Sequence, residues 1–141
     1  MSKSIKKIVL EMLNPQQMVF VATSVDDQPF VRPMTLIYDK KRFFFATGSS
    51  DAKAAQIAAN PLVEICLPLK EGKYSGYVRA RGKLLTITDN SVRKEIFDAS
   101  DFIGYYWQEP TDPGYALYQM HWQEVDYLKP GENLATTISW T

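Results

Sequence analysis

The spacing of hydrophobic positions changes several times along the chain, and each change marks an element. Ile5, Ile8, Val9, Met12 and Leu13 recur at the spacing of one helix face, with Ser2 or Ser4 placed to cap it and Asn14-Pro15 to stop it. The pattern then shifts to β-branched and aromatic runs, MVFVATSV and PFVRPMTLIYD, divided by Asp26-Asp27-Gln28, and KRFFFAT follows Asp39-Lys40. These segments predict an antiparallel meander of three strands. DAKAAQIAAN, residues 51–60, predicts a short alanine-rich helix ended by Asn60-Pro61, and LVEICLPL and GYVRARGKLLTI predict two more strands. Asp89 is placed to cap a helix in which Val92, Ile96 and Phe97 share a side. YALYQMHWQEVDYL predicts a closing strand, and DFIGYYWQEPTDPG before it a short helical turn plus a loop.

Helix, three strands, helix, two strands, helix, strand, joined mostly by short connections, predicts a mainly β fold: an antiparallel barrel-like sheet with helices outside it. A chain of 141 residues is expected to form a single domain over 1–141.

Charge narrows the function classes. Sixteen basic residues balance 16 acidic ones, so no global field recruits nucleic acid or an acidic membrane surface, and a small molecule suits the balance better. Arg79, Arg81 and Lys83 do alternate along one predicted strand, which reads as a solvated outer face or, alternatively, as a stripe binding single-stranded nucleic acid. No stretch has the length of a transmembrane helix. Lys6, Lys7 and Glu11 interrupt the apolar spacing that a signal peptide would need, and a cytoplasmic location is expected.

Self-sufficient catalysis has little to draw on. Cys66 is the one cysteine, expected as a packed core residue, and His121 the one histidine, expected to be structural or exposed. No zinc site of the usual His/Cys type and no catalytic side chain is expected. Chemistry here would be borrowed from a redox cofactor, which the protein binds, orients and tunes.

FFFATGSSDAKAAQI, residues 43–57, runs a strand through a small polar turn into a helix N-terminus with a nearby cation. The first N–H groups of a helix lack intrahelical partners and its dipole favours anions, so the stretch is a candidate phosphate seat. Thr47, Ser49 and Ser50 offer hydroxyls and amides, and Lys53 stands in the first turn. The same residues also read as an ordinary N-cap, Ser50 or Asp51, beside a surface lysine. Asp51 would oppose a phosphate if it pointed inward and is expected to face solvent. Arg32, in VRPMTL, is a second cation on a neighbouring strand, and Pro33 removes a ladder N–H, implying a sheet edge or an irregularity.

On the mid-strand RPM, on FFFATGSSDAKAAQIAANPLVEICL and on the order of elements, the sequence from about Met12 to Leu128 resembles the pyridoxamine-phosphate-oxidase-like flavoproteins, the FMN-binding split-barrel superfamily. The resemblance implies an antiparallel, Greek-key-like split β-barrel and a homodimer holding FMN in clefts between subunits. Arg32 and Lys53 would match the phosphate-binding cations, with Ser49 and Ser50 near the phosphate. Pro33, Met34, Thr35 and Thr47 would face the isoalloxazine, Gln56 would reach it from the helix, and Trp107 and Trp122 are candidates to cover the ring from the partner subunit. The implied activity is a flavin-dependent oxidoreductase with hydride transfer through flavin N5 to or from an unidentified small molecule. The C-terminal KPGENLATTISWT carries only Lys129 where a pyridoxamine-phosphate oxidase has further substrate-binding basic residues, so vitamin B6 oxidation is not expected. Compact size is more similar to general-stress and nitroimidazole-resistance members. The alternatives are a non-enzymatic flavin-binding or sensing protein, or a deazaflavin- or haem-binding member of the same fold.

Overall fold

Two tight turns set the first half of the sheet. In the computed structural model, which describes residues 4–140, β1 (Gln16–Val25) returns as β2 (Gln28–Asp39) through Asp26 and Asp27, both at positive φ. β2 returns as β3 (Arg42–Gly48) through Lys40 and Lys41, again both at positive φ. Two successive residues of that conformation match the twist of the flanking strands and close antiparallel hairpins. β4 (Leu62–Glu71) and β5 (Tyr74–Thr86) form a further antiparallel pair, and β6 (Tyr115–Leu128) runs beside β5. The order β3-β2-β1-β4-β5-β6, with β3 also pairing β6, closes the sheet into a barrel. The far half of β6 pairs instead with β7 (Thr136–Ser139), a short strand that the sequence pattern does not predict.

The hairpin of β2 and β3 opens soon after its turn. The two strands pair only at Asp39↔Arg42, Tyr38↔Phe43 and Ile37↔Phe44. Beyond that point β3 follows β6, from Phe43↔Met120 to Gly48↔Tyr115, while β2 stays with β1. Pro33 lies on the diverging part of β2, where the ladder toward β3 is already broken. This is the irregularity that a proline in a strand implies.

Alternation places Val19, Val21, Met34, Leu36, Phe45, Val63, Ile65, Val78 and Ala80 inside the barrel. Trp122 fills the same interior, its ring stacked on Phe43 with centroids 3.8 Å apart. A second cluster, Ile37, Phe44, Ile96, Ile103, Tyr115 and Leu117, lies outside the wall under α3 (Asn90–Ala99) and α4 (Ile103–Tyr106). Where Arg81 and Gly82 meet β6 the register shifts by a bulge, and a Cβ on Gly82 would stand 2.1 Å from the His121 carbonyl oxygen. Only glycine lets the two backbones approach so closely.

The helices follow their caps. Ser4 accepts from the Lys7 N–H to start α1 (Ile5–Met12); the other candidate cap, Ser2, lies outside the described residues. Asp51 caps α2 (Ala52–Ala59), and Asp89 caps α3 through the Ser91 and Val92 N–H groups. α2, poor in apolar area, is held over β1 by buried Ile57 and by an Asn60 side-chain bond to the Ser24 carbonyl at 3.0 Å.

Cys66 departs from its expected place. It alternates with inward Val63 and Ile65, so it faces outward and is only half-buried, beside Phe20 and Arg79 in the register. Burial pushes its thiol up, which keeps it protonated and unreactive at neutral pH. The cationic face of β5 also has internal partners. Arg79 and Arg81 both bind Asp126, and Arg81 also binds Glu64 at 2.8 Å. With those guanidiniums committed to carboxylates, the nucleic-acid stripe loses its two arginines. Among the described residues no helix is long and apolar enough to cross a membrane.

Candidate functional site

The gap between the diverging strands is a cleft of about 510 Å3. Pro33, Met34 and Thr35 of β2 form one side, and Ala46, Thr47 and Gly48 of β3 the other. Asp51 and Lys53, at the start of α2, close one end, and Phe102, Tyr106 and Trp107, in and beside α4, make an aromatic wall. Local sequence accounts for each part: Pro33 keeps β2 from rejoining the ladder, the Gly48-Ser49-Ser50 turn swings the chain into α2, and Asp51 nucleates the helix. Trp107 rests against Tyr115, with ring centroids 5.5 Å apart, and against Tyr106. Those contacts hold its ring toward the cleft.

Charge concentrates at the α2 end. The Asp51 carboxylate accepts the Lys53 N–H at 3.0 Å and pairs with the Lys53 ammonium at 2.9 Å. These bonds, with a smaller contribution from the Arg32 field, hold its carboxyl below the usual carboxylate range. Arg32, next to Pro33 on β2 but not among the cleft's lining residues, is half-buried and donates to the Val21 carbonyl at 3.1 Å and to the Gln56 amide oxygen. The Thr23 hydroxyl donates to that same oxygen at 2.8 Å. Desolvation lowers the Arg32 guanidinium from its ordinary value, and the field of Asp51 raises it part of the way back.

Sequence-predicted residues divide into three groups. Pro33, Met34, Thr35, Thr47, Lys53 and Trp107 line this cleft together. Arg32 and Gln56 do not line it and are joined to each other. Ser49, Ser50 and Trp122 are not among its lining residues. Ser49 donates its N–H to the Gly114 carbonyl at 2.9 Å and faces a separate hollow with Thr86 and Arg93, while Ser50 is exposed in the turn. Trp122 is a correction: 5% exposed inside the barrel, it has no surface to offer a ring, because alternation on β6 turns it toward Phe43. Trp107 lines the cleft of its own chain.

Asp51 needs a correction as well. It is exposed, as expected, but its carboxylate turns along the cleft to Lys53 rather than away from it. Sequence reasoning missed Phe102 and Tyr106. The signal was the aromatic density of FIGYYW, read there only as a helical turn and loop. His121 is exposed on β6 and takes no part in the cleft. Among the described residues no group of three or more His, Cys, Asp or Glu could hold a metal ion.

A mainly antiparallel barrel, split between two strands that part after three paired positions, with a cation-bearing helix start at the split, defines the split-barrel class. Residues 5–129 match the pyridoxamine 5'-phosphate oxidase family, and the chain belongs to it. It is 23% identical over 137 residues to general stress protein 26 of Bacillus subtilis (strain 168), covering 96% of each chain. Among solved structures it superposes on a NimC/NimA family protein from Clostridium acetobutylicum with TM-score 0.76 and 21% identity, covering 95% of this chain and 91% of that one. An FMN-binding, pyridoxamine 5'-phosphate oxidase-related protein of Nostoc punctiforme PCC 73102 gives TM-score 0.63 and 20% identity, over 79% and 73% of the two chains. A haem-binding protein from Mycobacterium smegmatis gives TM-score 0.72 and 13% identity, over 86% of this chain and 52% of that one. At such identities the superpositions establish the fold.

Proposed function

We propose that the chain binds FMN in the β2–β3 cleft and serves as a flavin-dependent oxidoreductase for a small molecule. One observation carries this reading: a single cleft joins a lysine at a helix start, an open strand edge at Pro33–Thr35, and an aromatic wall. A phosphate suits the cationic end, and a flat conjugated ring suits the slot between the β2 edge and Trp107. Lys53 and Arg32 supply attraction for the anion, and Pro33, Met34, Thr35 and Thr47 orient and dry one face of the ring. The FMN-binding relative adds support at the level of the family. Bound flavin would supply hydride acceptance and donation at N5, chemistry that none of the cleft side chains supplies alone.

A homodimer with the cofactor at the subunit interface belongs to the same proposal. Met18, Phe20 and Val31 point outward from β1 and β2 and are 57%, 38% and 69% exposed. Their register partners on the adjoining strand include Thr35 and Pro33, so this apolar face is continuous with the rim of the cleft. A second copy covering it would remove the exposed apolar surface and complete the cleft wall. The haem alternative has less support, since the only histidine stands outside the cleft.

The test is a visible absorption spectrum of the purified protein before and after addition of FMN and removal of the excess. Retained flavin bands are expected, together with a dimeric mass in solution that Phe20→Asp reduces. A protein that is colourless and also fails to take up FMN overturns the reading.

A further inference from the structure

The cation at the cleft end is not waiting for a ligand. Lys53 offers two kinds of donor that a phosphate would use, a first-turn N–H and an ammonium, and the Asp51 carboxylate engages both, at 3.0 Å and 2.9 Å. The same carboxylate acts on Arg32 through space. Arg32 and Lys53 with Asp51 leave one net positive charge, whereas a phosphate monoester carries about −1.5 to −2 at neutral pH. An incoming phosphate must either displace the carboxylate, giving up its bonds, or lie beside it as a like charge. An unphosphorylated ligand with the same ring meets neither cost.

We propose that Asp51 is a resident counter-anion that competes with the ligand's phosphate for Lys53, so that the site discriminates only weakly between FMN and riboflavin. The inference rests on the flavin-binding reading above and makes Asp51 a specificity-determining residue within it. The ring-contacting walls then carry most of the affinity.

Asn is as good an N-cap as Asp, so Asp51→Asn removes the charge and keeps the helix start. Asp51→Ser does the same with a hydroxyl, and a thermal melt of each variant checks that the fold is retained. The experiment titrates FMN and riboflavin into the full chain and both variants by flavin fluorescence. Wild type is expected to prefer FMN by less than about tenfold, and each variant to bind FMN about tenfold more tightly with riboflavin within about twofold. If flavins bind but the FMN-to-riboflavin ratio is unchanged in both folded variants, the counter-anion proposal is overturned and the flavin reading stands. If wild type and both folded variants bind neither flavin, both are overturned.

Discussion

Arg32 on β2 donates to the amide oxygen of Gln56 on α2, and this bond ties the strand that edges the cleft to the helix that brings Lys53 to its end. Thr23 donates to the same oxygen and so orients Gln56, while Arg32 also donates to the Val21 carbonyl on β1 at 3.1 Å, so the arginine is held from two elements before any ligand arrives. In the Asp51→Asn background, where no carboxylate competes for the cations, Arg32→Ala and Lys53→Ala are each expected to weaken FMN binding by about 1.5–3 kcal/mol, the range for hydrogen bonds to charged groups. Gln56→Ala, which leaves the arginine in place with only its bond to the Val21 carbonyl, should cost less than either. Unchanged affinity in both cation variants would remove them from the phosphate end.

The two tryptophans predicted for the ring should separate cleanly. Trp107→Ala is expected to weaken flavin binding by about 0.5–1.5 kcal/mol and to alter the fluorescence of the bound flavin, because its ring lines the cleft. Trp122→Ala empties the barrel interior against Phe43 and should cost about 3–5 kcal/mol of stability in denaturant titrations. A ligand effect from Trp122→Ala without loss of stability would contradict its burial.

Asp126 makes stability depend on acid. Side-chain bonds from Arg81 first, then Thr137 and Arg79, hold its carboxyl far below the ordinary carboxylate range, against the opposing effect of burial. A depressed carboxyl stabilises the folded state above its unfolded pKa, about 3.9, and that contribution is lost as pH falls from there toward the folded value. Asp126→Asn should therefore lower stability at pH 7 by about 1.5–3 kcal/mol and flatten the decline below about pH 4. Equal acid slopes in urea melts of the two proteins would exclude this role.

Gly82→Ala tests the bulge that bends β6. Its added methyl would meet the His121 carbonyl at 2.1 Å, and the strands must separate to admit it. A loss of about 1–3 kcal/mol is expected, as for overpacking, read as a lower denaturation midpoint. Gly48→Ala, with nothing within 4 Å of the new Cβ, serves as the matched control.

What the sequence made legible follows from periodicity and turn chemistry. The meander, the long β5, the capped α3 and the strand–turn–helix at Thr47 to Lys53 all stand where pattern places them, because each carries a local signal. Period-two alternation sorts side chains into two faces without saying which face is inside. Cys66 and Trp122 were misjudged for that reason, one turned outward beside Phe20 and the other inward onto Phe43. β7 is a short edge strand that buries almost nothing, so TTIS carries no alternation to read. Phe102 and Tyr106 reach the cleft through a tertiary fold-back of α4, which no local rule encodes.

The early parting of β2 and β3 has a consequence for the order in which the molecule assembles. Their hairpin is local in sequence and closes at little entropic cost, whereas the β3–β6 pairing that holds β3 away from β2 joins segments far apart in the chain. The cleft therefore does not exist in a folding chain that has made only its local contacts; it arises when β6 docks and draws α4 in with it. A ligand of that cleft binds the finished barrel alone, and by mass action each tenfold rise in its concentration above Kd adds about 1.4 kcal/mol to the stability of the closed form. For the flavin proposed above, cellular supply would then help set how long each copy of the protein survives.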